Sequence, residues 1–561
     1  MCVIDRDPAR GGRSGPTEEF DYIVVGGGSA GCVLAGRLSA DPAVRVLLLE
    51  AGPGSGHPFV RVPAAFPRLF GGRLDWGRST TPQDGLAGRR VLWPSGRVLG
   101  GSSSINAMMW VRPMRPDYGA WSAAGGDRWG FEALDPYFDR IEDAEGLGEG
   151  HRRGGAVSIA RQRDPHRLTA AFLEAASQCG IPRDPFPNLD EPAGASEAAV
   201  TQRRGARCSA ADAYLRPARR RANLVVRTGA LCERVVFSGT EATGVEYRLR
   251  TGPSRRAGAR REVVLAAGAV GSPALLWRSG VGPGRDLATL GVEVVADRPE
   301  VGRNLEDHVT AGVVVATPGE RTLASARSAR ELAAYVFGRR GMLTSPICEA
   351  YAFVSSVADA APPDLELVFA PVAFLDEGTT LPRLHAMTLA AVLLQPESRG
   401  SVRLASADPA EAPIVDPAYL SDAGGHDAAT LEAGVAWCLR LLRTPALARV
   451  AGEMIAPPPS SGPGADADLV RAAVRDFAQT LYHPVGTCRL GSDASSVVDP
   501  ELAVRGVTRL RVADASVIPR IVRGHTNAPT LLVAERAADL ITGRRDPAPT
   551  SAAGTEPGTA S

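Results

Sequence analysis

The chain contains no lysine, so all 63 of its basic side chains are arginine. That absence removes Schiff-base chemistry, pyridoxal phosphate anchoring and a Walker-type phosphate-binding lysine. Cysteine is sparse and scattered. The eight (Cys2, Cys32, Cys179, Cys208, Cys232, Cys348, Cys438, Cys488) include no C-x-x-C pair, so neither a zinc site nor a disulfide scaffold is indicated and no metal is expected. An excess of one charge is missing too. With 62 acidic residues against the arginines, the net charge of +1 gives no footprint for nucleic acid or an anionic membrane. No run of about 18 apolar residues occurs, and the opening MCVIDRDPARGGRSGPTEE has no apolar core to act as a signal peptide. A cytoplasmic protein without a membrane span is the expectation, with residues 1–18 a disordered leader and 545–561 a disordered tail.

At 561 residues core size is not limiting, and what the chain does have is organised around residues 20–52, FDYIVVGGGSAGCVLAGRLSADPAVRVLLLEAG. This reads strand, tight turn, helix, strand. Gly26 permits the turn, Gly28 lets backbone N–H groups approach a pyrophosphate at the helix N-terminus, and Gly31 allows close helix–strand packing. Glu50, closing the second strand, stands where a carboxylate accepts hydrogen bonds from a ribose hydroxyl pair, which disfavours the 2′-phosphate of NADP. A glycine turn serving packing alone has no use for Glu50. The same residues also fit the G-x-S-x-G elbow of hydrolases, but an elbow strand lies in mid-sheet with several strands before it, and only about 20 polar residues precede this one.

Residues 54–93 read as an irregular excursion over a cofactor. Gly100, Gly101 and the three serines after them present bare backbone and hydroxyl donors suited to an anion or a flavin edge. Helices are expected over 117–124, 133–144 and about 165–180, and strands over 224–228, 233–238, 244–249 and 262–266, with the arginine-rich stretch 251–261 as a solvated hairpin turn. The small-residue run after Val263 (VVLAAGAVGSP) repeats the geometry of backbone facing a cofactor. From 310 to 477 the texture changes to β-rich runs (365–369, 387–394), a long helix near 429–443 and a Pro/Gly loop at 457–464, a substrate-facing region without a glycine fingerprint. Cofactor logic returns with a strand ending at Asp514, then Thr526-Asn527-Ala528-Pro529 opening a helix to about 541, Pro529 suiting its first turn.

Several stretches resemble the glucose-methanol-choline (GMC) oxidoreductases, in texture the choline dehydrogenase branch: VVGGGSAG with Glu50, GRVLGGSSSINAM at 96–108, GAVGSPALLWRSGVG at 268–282, VGRNLEDH at 301–308, HPVGTC at 483–488 and HTNAPTLLVAERAADLI at 525–541. The set spans almost the whole chain. The resemblance implies an α/β plus α+β fold: a glutathione-reductase-like, Rossmann-type FAD-binding domain (19–160, 220–309, 478–544) and a substrate domain (161–219, 310–477) on a six-stranded antiparallel sheet. It puts His483 at the family's catalytic histidine and Asn527 at its partner. Gly26, Gly28, Ser29, Ala30, Gly31, Glu50 and Ala51 match ADP-binding positions. Gly101, Ser102 and Asn106 match contacts around the isoalloxazine and ribityl, Val235 an adenine-side backbone contact, and Asp514 with Ala515 the ribityl and pyrophosphate end. Some members attach FAD through a histidine just before the asparagine of the GGSSS segment. That position is Ile105 here, so FAD is expected to be non-covalent.

The activity implied is oxidation of a small-molecule alcohol, with oxygen or another acceptor taking the electrons. Such chemistry needs a base near pKa 7, an oxygen-positioning donor and a hydride acceptor. His483 supplies the first and Asn527 a neutral amide donor, while the helix opened by Pro529 aims its positive end at the flavin N1 and C2 carbonyl. His308 reads as a structural pair with Asp307, His525 as facing away, and Glu349 as a hydrogen-bonded structural carboxylate rather than a contact for a cationic substrate. Non-redox cyanohydrin lyases or decarboxylases of the same family, and a flavin-binding protein without turnover, are the alternatives.

Overall fold

The computed structural model describes residues 18–544 and 547, apart from 149–150, 185–193, 358–361, 381, 460–461 and 463. The expected leader and tail therefore lie outside the described residues, except for residue 547 and for Glu18, which already belongs to a strand. The loop at 457–464 is described only in part.

The first sheet grows from β1 (Glu18–Val25), whose six inner residues are all buried, followed by helix α1 (Ser29–Leu38) and β2 (Val46–Glu50). Strands so uniformly apolar suit a parallel sheet covered on both faces. β1 lies parallel to β2 on one side and to the strand Ser254–Leu265 on the other, and Leu224–Thr228 extends the sheet parallel to β2. The first half of Ser254–Leu265 pairs antiparallel with Glu241–Leu249, which in turn pairs with Ala230–Ser238; its second half pairs parallel with Leu510–Val512. A strand more than two hundred residues away in sequence thus completes the sheet that β1 begins.

Two local expectations change. The arginine-rich stretch is mostly strand, with the turn confined to residues 250–253. Ala257, Gly258 and Ala259 are buried against β1 and Glu241–Leu249, while Arg255, Arg256, Arg260 and Arg261 point to solvent. The helix over 133–144 is three short turns instead, Phe131–Leu134, Asp135–Tyr137 and Phe138–Ile141, then extended chain at Glu142–Asp143. Pro136 sits in the middle of them and has no N–H to continue an α-helix.

The second sheet is antiparallel, in the order Met454–Ala456, Val309–Ala316, Ala386–Leu393, Leu365–Ala370, Ala350–Val354, Gly194–Glu197. Gln479–Thr480 joins it as a seventh strand against the start of Val309–Ala316, and so crosses the expected boundary at 478. The helix His426–Leu442 covers one face, burying Leu431, Val435 and Cys438 against Leu365, Leu367 and Phe369. Period-two alternation turns Glu366 and Val368 to the opposite face. Helix α2 (Ala329–Gly338) lies outside this sheet, and helix α3 (Asn527–Thr542) packs along α1. Among the described residues no helix is long and apolar enough to cross a membrane.

Candidate active site and cofactor cradle

Short turns of small residues meet at the C-terminal ends of β1, β2 and Ser254–Leu265. A side-chain carbon on Gly31 would lie 1.8 Å from Gly26 O, and one on Gly101 2.6 Å from Gly28 Cα, so the two glycine turns touch backbone to backbone. The Gly100 N–H donates to Gly27 O (2.7 Å), and Gly268 N donates to Asp514 Oδ2 (2.8 Å). From the far end of the chain, Asn527 Oδ1 accepts from Ser29 Oγ (3.0 Å). Glu50 accepts from Gly27 N (2.9 Å) and Gly52 N (2.6 Å), and burial pushes its carboxyl up to about 7. Ala30 lies in the first turn of α1 and Ala51 beside Glu50. Asp514 is buried and gathers Ser272 Oγ, Ser516 Oγ and Ser516 N; Ala515 O accepts from Gly486 N (3.4 Å), next to the histidine turn. Ser102 is exposed, while Asn106 Oδ1 accepts from Arg207 Nη1 (2.6 Å) and Met108 N (3.1 Å). Val235 stands apart on the edge strand, where its N–H donates to Ser279 Oγ (2.8 Å).

This cradle fits FAD. Neither α1 nor α3 has a side-chain N-cap, so both helix starts offer first-turn N–H groups to an anionic group. A carbon on Gly28 would find its nearest neighbours 3.9 and 4.0 Å off, a gap among glycines that are otherwise tightly packed. Gly26, Gly28, Ser29, Ala30, Gly31 and Glu50 would hold the ADP half, and Gly101, Asp514 and the start of α3, with Pro529 in its first turn, the flavin side.

Beside the cradle stand three histidines. His308 opens into the strand Val309–Ala316, His483 follows Gln479–Thr480, and His525 precedes α3. His308 Nδ1 and His483 Nδ1 are 2.9 Å apart, and the rings of His483 and His525 are 5.0 Å apart centre to centre. His308 Nε2 lies 3.0 Å from Val522 O and 3.2 Å from Leu394 O. A carbonyl only accepts, so Nε2 carries the hydrogen. Burial above all, then the charge of His525, pushes His308 down to about 3, which keeps it neutral. Its Nδ1 is then a bare lone pair, the hydrogen between the rings belongs to His483 Nδ1, and His483 Nε2 is left unprotonated. Burial and the two neighbouring imidazoles hold His483 well below the ordinary histidine range.

The backbone around His483 is fixed. Asp307, buried and pushed up to about 6 by burial, accepts from His483 N (2.7 Å), Thr480 Oγ1 (2.6 Å) and the Tyr419 hydroxyl. Tyr482 has φ = 65°, in the left-handed region, and is held there by its N–H on Thr480 Oγ1 (2.7 Å) and its hydroxyl on Glu377 O (2.6 Å). Such strain at a non-glycine residue costs of order 1–3 kcal/mol and persists only where surrounding bonds impose it.

Two sequence expectations are corrected by this geometry. His525 does not face away: its Nε2 lies 3.1 Å from Glu366 Oε2, and its ring is the one beside His483. The Asn527 side chain accepts from Ser29 Oγ (3.0 Å). Nor does the His308 ring pair with the Asp307 side chain, which takes the Tyr419 and Thr480 hydroxyls and the His483 amide. Glu349 is indeed a structural carboxylate, taking His166 N, Thr169 Oγ1 and Ser345 Oγ, each at 2.6 Å. Glu366 escaped sequence reading altogether. The signal was there, since a lone acid in the apolar run Leu365–Ala370 is fully buried only when paired.

The N- and C-terminal domains of GMC oxidoreductases match residues 20–310 and 396–534. The alcohol dehydrogenase [acceptor] of Pseudomonas putida is 39% identical over 542 residues, 94% of this chain and 96% of that protein. The mitochondrial choline dehydrogenase of Homo sapiens is 39% identical over 548 residues, covering 94% and 90%. Among solved structures, pyridoxine 4-oxidase from Mesorbium loti superposes with a TM-score of 0.84 at 34% identity, covering 94% of this chain and all of that one. Glycine turns that leave room for a dinucleotide, a mixed sheet beside an antiparallel one, and matches that run nearly end to end lead to one conclusion: this chain belongs to the GMC oxidoreductase family and is an FAD-dependent oxidoreductase.

Proposed function

We propose that the protein oxidises an alcohol to an aldehyde or ketone, with His483 Nε2 as the base that takes the hydroxyl proton and His525 as the second group on the substrate oxygen. The observation that carries this reading is the 2.9 Å contact between His308 and His483, which leaves Nε2 unprotonated. When bound, FAD supplies the hydride acceptor for the carbon. His308 Nδ1 stays hydrogen-bonded as His483 gains its proton, and the bond becomes charge-assisted in the imidazolium. Glu366 orients His525 through Nε2. Asn527, tied to Ser29, joins the start of α3 to the first glycine turn rather than acting on the substrate oxygen.

The test is anaerobic reduction of the flavin absorbance by the best alcohol of a panel, followed by admission of air to learn whether oxygen or another acceptor takes the electrons. His483→Ala should slow reduction by about 100-fold or more, the scale of a lost general base, with FAD retained. His525→Ala should slow it less, and Asn527→Ala least. Wild-type reduction rates in His483→Ala would sink the assignment.

A further inference from the structure

Helix α2 is built inside out. Its inward positions are Glu331 and Tyr335, and both are satisfied there: Glu331 Oε2 accepts from Met342 N (2.8 Å) and the Tyr335 hydroxyl donates to Arg61 O (3.1 Å). Its outward positions are Ala329, Leu332, Ala333, Val336 and Phe337, spaced i, i+3, i+4, i+7, i+8. That is the pattern of a core-facing stripe. Here it faces solvent, with Leu332 55%, Val336 58% and Phe337 89% exposed.

The charge at the N-terminal end of this stripe has one sign. Arg330 is exposed on the helix, and the pKa of Arg327, just before it, is lowered first by partial burial and then by the like charges of Arg68 and Arg383. None of these four arginines has a carboxylate partner among the described residues, whereas Arg340, at the other end, is paired with Asp164 (2.7 Å). The whole-chain charge of +1 conceals this clustering. A second copy docked on this face would bring like charges together. The stripe also offers no side-chain hydrogen-bonding group to fix the register of a protein partner, whereas a bilayer needs none.

We propose that α2 with its arginine fringe is a peripheral docking surface for an anionic membrane, the apolar stripe entering the headgroup boundary and the guanidinium groups meeting lipid phosphates. The face is linked to the active site by a run of chain. Arg61, which holds Tyr335, leads into the turn Pro63–Leu69, and Phe70 after it packs 5.6 Å from the Tyr482 ring beside His483. Given the alcohol oxidation proposed above, docking would bring an alcohol dissolved in the bilayer to the segment that leads to the base.

The test is co-sedimentation of the FAD-loaded protein with phosphatidylcholine vesicles, with and without phosphatidylglycerol. Wild type should pellet only with the anionic vesicles and be released by salt. The double substitution Leu332→Glu, Phe337→Glu should abolish pelleting, and each of Arg327→Ser, Arg330→Ser and Arg383→Ser should weaken it by about fivefold. Unchanged FAD content and turnover of a water-soluble alcohol would show these variants folded. Wild type remaining in the supernatant, or pelleting that survives the Glu substitutions, would overturn the proposal. So would a dimer by light scattering that Phe337→Glu dissociates, which assigns the face to a second copy, or retention on polyglutamate without vesicle binding, which assigns it to an acidic protein.

Discussion

At the scale of single residues, the site depends on which ring nitrogen carries a hydrogen. Two main-chain carbonyls set the tautomer of His308, and His308 sets that of His483. His308→Leu removes the acceptor without touching the base itself, and should cost one buried hydrogen bond, about 1–3 kcal/mol. Flavin reduction should then fall by about tenfold or more with FAD content unchanged, and a wild-type rate would show that the contact does not govern the base. The pH dependence follows from burial. Because burial and the neighbouring imidazoles lower the His483 pKa, the neutral form that accepts a proton is present throughout the range above the ordinary value of about 6.5. The acid limb of kcat/KM should therefore lie below pH 6.5, with a plateau from about pH 7 to 9. A limb centred above 7 would mean that His483 is not the free enzyme's base.

At the scale of elements, two glycines three residues apart have different jobs. Gly31 is where α1 meets the backbone of its own turn, since an added carbon would lie 1.8 Å from Gly26 O. Beyond its own chain neighbours, Gly28 has no protein atom closer than 3.9 Å to that position, so its missing side chain leaves room for something other than protein. Gly31→Ala should lower both the melting temperature and FAD retention. Gly28→Ala should leave the melting temperature of the apoprotein within about 2 °C of wild type, the scale of a surface substitution, and lose FAD on gel filtration. Equal FAD occupancy in Gly28→Ala and wild type would show that the cofactor does not press on this turn. The element bearing His483 is held in the same spirit: Asp307 and Thr480 impose a left-handed Tyr482, which fixes the backbone beside the histidine proposed as the base.

At the scale of the whole molecule, the proposed cradle gathers residues 26–31, 50, 100–106, 266–272, 514 and 527, so FAD held there would tie together nearly the full length of the chain. Adding FAD to apoprotein should stabilise it by about 2.7 kcal/mol at one hundred times the dissociation constant, read as a rise in melting temperature with cofactor concentration. Ile105, buried at 2% exposure, offers no nucleophile for a covalent link. Acid precipitation should therefore release all the yellow colour to the supernatant, and flavin remaining with the pellet would contradict that.

The sequence by itself determined the parts whose signals are local. A strand, glycine turn, helix and acid must be neighbours in sequence to act together, so β1, α1, β2 and Glu50 were legible at once, as were Asp514 and the start of α3. His483 was legible through its motif. What it could not determine was which of the remaining side chains meet His483. His308 and His525 lie 175 residues before and 42 after it, and each looked structural or averted because side-chain direction in irregular chain carries no periodic signal. Glu366 reaches His525 only because the antiparallel sheet turns alternate residues of Leu365–Ala370 away from the covering helix. Tertiary structure alone made that choice, since the partners come from three separate segments and their contact exists only after both sheets have formed.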